Sequence, residues 1–181
     1  MVDALQSPPA QAVLRPLRVG ITGHRDLGTE TVRLVDAELG HHLRRLCQDS
    51  AEATRSLIGV SCLAPGADCV FADVVLRLGG ILEVILPWAG YVGPRASGCH
   101  GAGFGNLLQQ ASRVRTAVPA KTEPQAYVAA NSLMLRSVDR LVAVWNGASS
   151  ELPGGTAHAV SAAKARRVPV TVIWPEGSRR G

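Results

Sequence analysis

Short apolar runs alternate with segments of helical periodicity along most of this 181-residue chain. The apolar runs are rich in β-branched residues and end at glycine or proline, which is typical of buried strands. The segments between them carry apolar residues at helical spacing, as at Val32, Val35 and Leu39. Strands that alternate with helices favour a parallel sheet covered by helices on both faces. The chain is therefore predicted to form one α/β domain, a doubly wound parallel sheet of about five strands.

The positions of these runs define the expected elements. Strands are expected at residues 17–21, 57–63, 81–86, 140–145 and 169–174. Helices are expected at residues 29–46, 67–78, 105–113, 124–137 and 156–166. The nucleotide-binding domain is expected to cover residues 17–175, between a flexible, proline-containing leader at 1–16 and a C-terminal tail at 176–181.

The composition is that of a folded protein rather than a disordered one. Hydrophobic residues make up 46% of the chain and charged residues 18%, with a net charge of +5. The excess arginines are scattered, and aromatic residues are only 4%, too few for base-stacking platforms. Nucleic acid is therefore not the expected partner. Because the chain shows neither a signal-peptide pattern nor a bilayer-spanning run, no membrane partner is expected and the cytoplasm is the expected location.

Four cysteines lie at positions 47, 62, 69 and 99, without any CxxC pair. Reduced thiols that fill the core are the expected state. Cys99 is followed by His100, but no second ligand pair at zinc spacing accompanies them. The sequence therefore predicts neither a metal site nor a resident cofactor.

Two glycine-rich loops, residues 20–25 and 152–160, each lie between a predicted strand and a predicted helix. Gly154 and Gly155 permit close approach of the backbone to an anion, and Thr156 can cap the helix and offer its hydroxyl group. The N–H groups of the first helical turn attract negative charge. If the first and fourth predicted strands are neighbours, the two loops face each other across one crevice. A nucleotide-like ligand is therefore predicted at this crevice.

Five side chains near the crevice carry candidate chemistry. Arg25 can make a two-point contact to phosphate, and His24 can titrate near neutral pH. Asp68 can accept a ribose hydroxyl group or act as a base, or it can simply compensate the dipole of its helix. Trp145 can line the core or form a wall for a base, and Asn146 can serve a turn or contact the ligand.

The candidate site residues fall into two groups. Catalytic roles are considered for Asp68 and His24. Binding roles are predicted for Gly20, Thr22, Gly23, Arg25, Gly66, Trp145, Asn146, Gly154, Gly155 and Thr156.

Three motifs, in order, resemble those of the SLOG superfamily: residues 19–25, residues 64–68, and residues 143–147 with 154–160. Each lies at a strand-to-helix junction, and the resemblance covers about residues 17–175. This superfamily includes DNA-processing protein A, the LONELY GUY cytokinin-activating enzymes, and nucleotide-sensing modules of bacterial defence proteins and melastatin-type TRP channels. The resemblance implies a Rossmann-like sheet and a nucleotide or nucleotide-derived ligand. It also implies a homodimer, for which residues 126–135 are a candidate surface unless they are buried within the monomer.

One departure from the superfamily bears on catalysis. The LONELY GUY enzymes carry glutamates directly after a longer glycine–threonine motif, and one of them serves hydrolysis of a ribosyl–base bond. Here Ala157, His158 and Ala159 follow Thr156. The missing carboxylates favour a sensor or binding module. A compact chain without a fused effector favours the alternative, a nucleotide-processing enzyme of the nucleoside 5′-monophosphate phosphoribohydrolase type, so enzymatic activity is left open.

Overall fold

The computed structural model describes residues 15–48, 56–91, 103–149 and 152–181. Within these ranges the strands are β1 (Leu17–Gly23), β2 (Leu57–Ser61), β3 (Ile81–Leu86), β4 (Arg113–Thr116), β5 (Arg140–Val144) and β6 (Val170–Ile173). The helices are α1 (Thr29–Gln48), α2 (Ala67–Arg77), α3 (Phe104–Gln110), α4 (Glu123–Leu135) and α5 (Thr156–Ala165). Cys99, His100 and most of the predicted leader lie outside the described residues.

The six strands form one parallel sheet in the order β4-β3-β2-β1-β5-β6. The chain builds outward from β1 to β4 and then returns to place β5 on the other side of β1. The winding direction therefore reverses between β1 and β5, which opens a crevice at the carboxyl ends of these two strands. The predicted α/β fold is confirmed, with one strand more than about five.

The additional strand is β4, which corrects the predicted helix at residues 105–113. Helix α3 ends at Gln110, and Arg113–Thr116 pairs with β3 at the edge of the sheet. Three of its four residues are exposed, and two of the four are arginines. An exposed, charged edge strand lacks the apolar run by which the central strands are found.

Helices cover both faces of the sheet. The central strands are buried on both sides, as the fully buried β2 illustrates. Helices α1 and α2 pack on one face, through residues such as Leu39 and Phe71. Helices α4 and α5 pack on the other, through residues such as Met134 and Ala163. None of the described helices combines the length and apolar character that crossing a bilayer requires.

Residues 126–135, the candidate dimer surface, are largely engaged within the monomer. Ala126, Ala130, Met134 and Leu135 on helix α4 are all buried. They pack against the sheet, so the alanine-rich stretch serves the core of one chain. A homodimer stays a prediction, and its surface has to lie elsewhere or on the half-buried side of this helix.

The cysteines match the expected reduced state only in part. Cys47 and Cys62 are free thiols, and Cys62 is buried in the core. Cys69 is disulfide-bonded, so the expectation of a reduced thiol is wrong at this position. Disulfide formation requires two Cα atoms to approach within about 4.4–6.8 Å. Spacing along the chain does not report that approach.

Candidate functional site

A cavity of about 450 Å³ lies at the carboxyl ends of β1 and β5. Its wall combines the loop after β1, the start of α4, the loop between β5 and α5, and Arg180 near the end of the chain. The two glycine-rich loops therefore face each other across the cavity. This is the crevice expected where the winding of a doubly wound sheet reverses.

Most of the candidate residues come together in the cavity wall. Those that line it are Thr22, Gly23, His24, Arg25, Asp68, Trp145, Gly154, Gly155 and Thr156. Three candidates, Gly20, Gly66 and Asn146, are not part of the wall. Each of these three residues has a structural role beside the cavity.

Gly20 and Gly66 permit close packing around the site. A Cβ atom on Gly20 would lie 3.1 Å from the sulfur of Met134, so this glycine lets α4 approach β1. Gly66 has a φ of +76°, and a Cβ atom there would lie 2.4 Å from the carbonyl oxygen of Arg25. No other residue type fits that conformation and that space. Gly66 therefore fixes the loop after β1 against the start of α2.

His24 links the loops that follow β1 and β5. Its Nε2 atom lies 3.0 Å from Oδ1 of Asn146 and 3.3 Å from the backbone nitrogen of Asn146. Its ring makes an edge contact with Trp174, with 5.2 Å between centroids. Burial lowers the pKa of His24 below 6.5, and the positive charge of Arg180 lowers it further. At neutral pH His24 is therefore an uncharged hydrogen-bonding group.

Asp68 is a buried carboxyl group in the cavity wall, with 5% of its surface exposed. Its Oδ2 atom accepts hydrogen bonds from the backbone nitrogens of Cys62 and Ala64, at 3.2 and 3.4 Å, and from the hydroxyl group of Ser61 at 3.3 Å. Burial raises the pKa of Asp68 to about 7, against the opposing effects of these bonds and of the charge on Arg25. Both protonation states are therefore populated near neutral pH.

The loop before α5 exposes a helix N-terminus to the cavity. Gly154 has a φ of +81° and packs against α4, where Nδ2 of Asn131 donates to its carbonyl oxygen at 3.0 Å. Gly155 is the N-cap residue and provides no side-chain cap. Thr156 is the first helical residue, so its predicted capping role is wrong. Within the described residues the N–H groups of the first turn have no side-chain acceptor, and they can bind an anion.

Helix α4 supplies site residues that the sequence did not indicate. Glu123, Tyr127 and Asn131 line the cavity, and the guanidinium carbon of Arg25 lies 4.4 Å from the centre of the Tyr127 ring. These three residues are four positions apart and share one face of the helix. Polar and aromatic residues at that spacing, within an alanine-rich segment, were the signal that could have identified them.

Arg180 enters the wall because the end of the chain returns to the start of α1. The backbone nitrogen of Arg179 donates to Thr31 Oγ1 at 2.7 Å, and that hydroxyl group donates to the Arg179 carbonyl oxygen at 2.8 Å. Arg180 also bridges to Leu27, and the backbone nitrogen of Gly181 donates to Asp26 at 3.2 Å. Part of the predicted tail is therefore hydrogen-bonded to the domain. These contacts join residues so distant in sequence that no local pattern indicates them.

The charges around the cavity favour an anion at one side. Arg25 and Arg180 form no ion pair within the described residues. Together with the N-terminus of α5 they provide three sources of positive potential. The carboxyl groups of Asp26, Asp68 and Glu123 also line the cavity. The site can therefore bind a ligand that combines an anionic group with hydrogen-bond donors.

Comparisons with known proteins support the architecture. No protein-family model and no curated protein matches this chain. DNA processing protein A from Streptococcus pneumoniae has a similar structure, with a TM-score of 0.62 and 16% identity over 90% of this chain and 52% of that one. This chain thus spans about half the length of that protein.

Two further solved structures are similar. DNA processing protein A from Helicobacter pylori, described for its single-stranded DNA binding mode, has a TM-score of 0.60 and 16% identity over 91% of this chain and 69% of that one. The structural genomics target TM1055 has a TM-score of 0.52 and 17% identity over 85% of this chain and 72% of that one. The chain therefore has the same Rossmann-like fold as these proteins, as the resemblance implied.

Proposed function

We propose that this protein binds a nucleotide or nucleotide-derived small molecule in the cavity between β1 and β5. The observation that carries the proposal is the N-terminus of α5, whose N-cap residue Gly155 provides no side-chain cap and which faces a cavity also lined by Arg25 and Arg180. Backbone N–H groups, a helix dipole and planar guanidinium groups together suit a phosphate group. The ligand binds with its phosphate against the Gly154–Thr156 segment.

The remaining wall suits the rest of a nucleotide. The side chain of Trp145 offers aromatic surface against which a base can pack. A cavity of about 450 Å³ falls within the range typical of small-molecule sites, about 300–1,000 Å³. These features support a binding role that does not depend on turnover.

Nucleic acid remains a competing ligand for the same surface. The expectation against nucleic acid gains no support from the comparisons, because one similar protein is described as binding single-stranded DNA. A phosphate site lined by arginines can bind the phosphate of a mononucleotide or of a nucleic-acid strand. Both ligand types therefore belong in the binding experiment.

Gly155→Asp tests the phosphate loop. Gly155 has extended backbone, and an aspartate at an N-cap accepts N–H bonds from the first helical turn, so the variant is expected to fold. Its carboxylate would occupy the donors intended for phosphate and repel the ligand. Gly105→Asp is the matched control, because it adds the same charge at an exposed glycine with no atom within 4 Å of an added Cβ.

The measurement is calorimetric titration with adenosine and guanosine mono- and diphosphates and with a single-stranded oligonucleotide. We expect the parent chain and Gly105→Asp to bind a nucleotide equally, and Gly155→Asp to bind at least about tenfold more weakly. Unchanged affinity in a folded Gly155→Asp variant would exclude this loop. Binding of the oligonucleotide alone would exclude a small-molecule role.

A second candidate function is hydrolysis of the ribosyl–base bond. It is favoured by Asp68, whose pKa of about 7 suits a general acid or base, and by Glu123, a second carboxylate in the wall. Against it stand the missing glutamates after Thr156. Chromatography of nucleoside monophosphates incubated with the protein tests it. We expect no free base, and base release abolished by Asp68→Asn would establish the enzyme.

A further inference from the structure

The two carboxylate oxygens of Asp68 differ in their surroundings. Oδ2 accepts three hydrogen bonds from the β2–α2 segment. Within the described residues, Oδ1 of Asp68 has no hydrogen-bond partner, although the residue is only 5% exposed and lines the cavity. Oδ1 is not one of the fully buried polar atoms without a partner among the described residues, so it is open to the cavity. A carboxylate oxygen in this position is the acceptor that Asp68 offers to a hydrogen-bond donor of a ligand in the cavity.

The position of Asp68 indicates which part of a nucleotide that donor belongs to. Asp68 follows β2, whereas the phosphate loop follows β5, and β1 lies between the two strands. Neighbouring strands are about 4.8 Å apart, so the two features are separated by roughly 10 Å. That separation keeps the carboxylate away from the phosphate, which it would repel. It also leaves room for a phosphoryl group and the sugar attached to it.

On the basis of the proposed function, we propose that Oδ1 of Asp68 accepts a hydrogen bond from a ribose hydroxyl group of the bound nucleotide. The site then selects ribonucleotides over the corresponding deoxynucleotides. A site with a buried group that needs a hydroxyl partner discriminates strongly against an analogue that lacks it. For one hydrogen bond to a charged group, the expected preference is about 10- to 100-fold.

The charge state of Asp68 supports this inference. Burial raises its pKa to about 7, and the groups that face it are the Cys62 thiol directly after β2, Arg25 from the loop after β1, and the Tyr91 hydroxyl. A hydroxyl donor favours the ionised carboxylate over the protonated one. The affinity ratio of ribonucleotide to deoxynucleotide should therefore rise as the pH passes through about 7. Titration of the phosphate cancels in this ratio, because both ligands carry it.

The test compares adenosine 5′-monophosphate with its 2′-deoxy and 3′-deoxy analogues by calorimetric titration above pH 7. In the parent chain, removal of one of the two hydroxyl groups should weaken binding about 10- to 100-fold. Asp68→Asn should bind adenosine monophosphate as weakly as the parent binds that deoxy analogue, with no further loss for the analogue. Ser61→Ala is the matched control: it removes one bond to Oδ2, leaves Oδ1 untouched, and should keep the preference.

The alternative results are distinguishable. Equal binding of all three nucleotides by the parent chain would overturn the hydroxyl contact and leave nucleotide binding intact. An equal loss for all three in Asp68→Asn would assign Asp68 a purely structural role. Binding of none of them would remove the proposed function itself. If Asp68→Asn does not fold, the preference of the parent chain and its rise with pH still decide the matter.

Discussion

The arginines at the two ends of the sheet are in different electrostatic states. Near the amino ends of the strands, Arg18 donates to both carboxylate oxygens of Glu83, at 3.1 and 2.6 Å, and Arg115 lies 3.7 Å from the same group. At the carboxyl ends, Arg25 and Arg180 have no carboxylate partner within the described residues. The sheet therefore neutralises its cations at one end and leaves them available at the other.

The carboxyl groups show the same contrast. The hydrogen bond from Arg18 lowers the pKa of Glu83, with the charges of neighbouring arginines acting in the same direction. Burial raises the pKa of Asp68 to about 7, because the loss of hydration outweighs its hydrogen bonds and the charge of Arg25. The amino end thus contributes to stability, and the carboxyl end holds unsatisfied groups that a ligand can satisfy.

The largest effect is expected for the pH dependence that Asp68 imposes. Its pKa of about 7 in the folded state lies above the ordinary aspartate value of 3.8, so the folded state binds the proton more tightly than the unfolded state. The free energy of unfolding should fall as the pH rises from about 4 to about 7, by up to about 4 kcal/mol. Asp68→Asn cannot show this contribution.

Urea unfolding of the parent chain and Asp68→Asn across this pH range measures it. The effects of all other groups are shared, so the difference between the two proteins isolates Asp68. The parent should lose stability relative to the variant with rising pH, and the difference should level off above pH 7. If the difference in unfolding free energy did not change with pH, burial would not raise the pKa of Asp68, and the contrast between the two ends of the sheet would be wrong.

The second effect concerns the paired end of the sheet. Glu83→Leu leaves Arg18 and Arg115 without their carboxylate, and breaking a largely buried ion pair costs about 3 kcal/mol of unfolding free energy. The double variant Arg18→Met, Glu83→Leu should recover part of the lost unfolding free energy, because Arg18 no longer leaves an unpaired charge. Chemical unfolding measures these free energies. If Glu83→Leu and a variant at the cavity both lost an equally small unfolding free energy, the contrast between the two ends of the sheet would be wrong.

The third effect belongs to Arg25 at the unpaired end. Arg25→Met should reduce the unfolding free energy by less than about 1 kcal/mol, since the side chain is exposed and packs over the Tyr127 ring. Nucleotide affinity should fall about tenfold, because one charge-assisted phosphate contact is lost. Thermal unfolding with and without nucleotide measures both quantities. Loss of stability with unchanged affinity would make Arg25 a structural residue like Arg18.

The sequence predicted the interior of this fold better than its edges. Strands β1, β2 and β5 are buried on both faces and therefore appear as apolar runs. Strand β4 and its ion pairs escaped prediction, because an edge strand of alternating arginines resembles the end of a helix. The pattern of apolar residues in a sequence reflects which positions are buried, and strands at the edge of a sheet are the least buried.

The two glycine-rich loops were also predictable, because their glycines lie between an apolar run and a segment of helical periodicity. The cavity wall as a whole was not. Tyr127 joins it through the packing of α4, and Arg180 through hydrogen bonds to the start of α1. The burial of Asp68 depends on the turn around Gly66, where a side chain would collide with the Arg25 carbonyl oxygen. These are contacts between distant segments, which local patterns do not encode.

The smallest effect is expected for Arg180. Its side chain is exposed, so water and salt screen its attraction for a phosphate group. Arg180→Gln should weaken nucleotide binding by no more than about fivefold at low salt, with less loss at high salt, and should leave the unfolding free energy unchanged. Arg33→Gln removes the same charge from exposed α1, outside the cavity wall, and serves as the control. Equal weakening by both variants would show that net charge alone attracts the ligand. A salt-sensitive loss of nucleotide affinity that only Arg180→Gln shows would establish that Arg180 contributes to binding at the carboxyl ends of the strands.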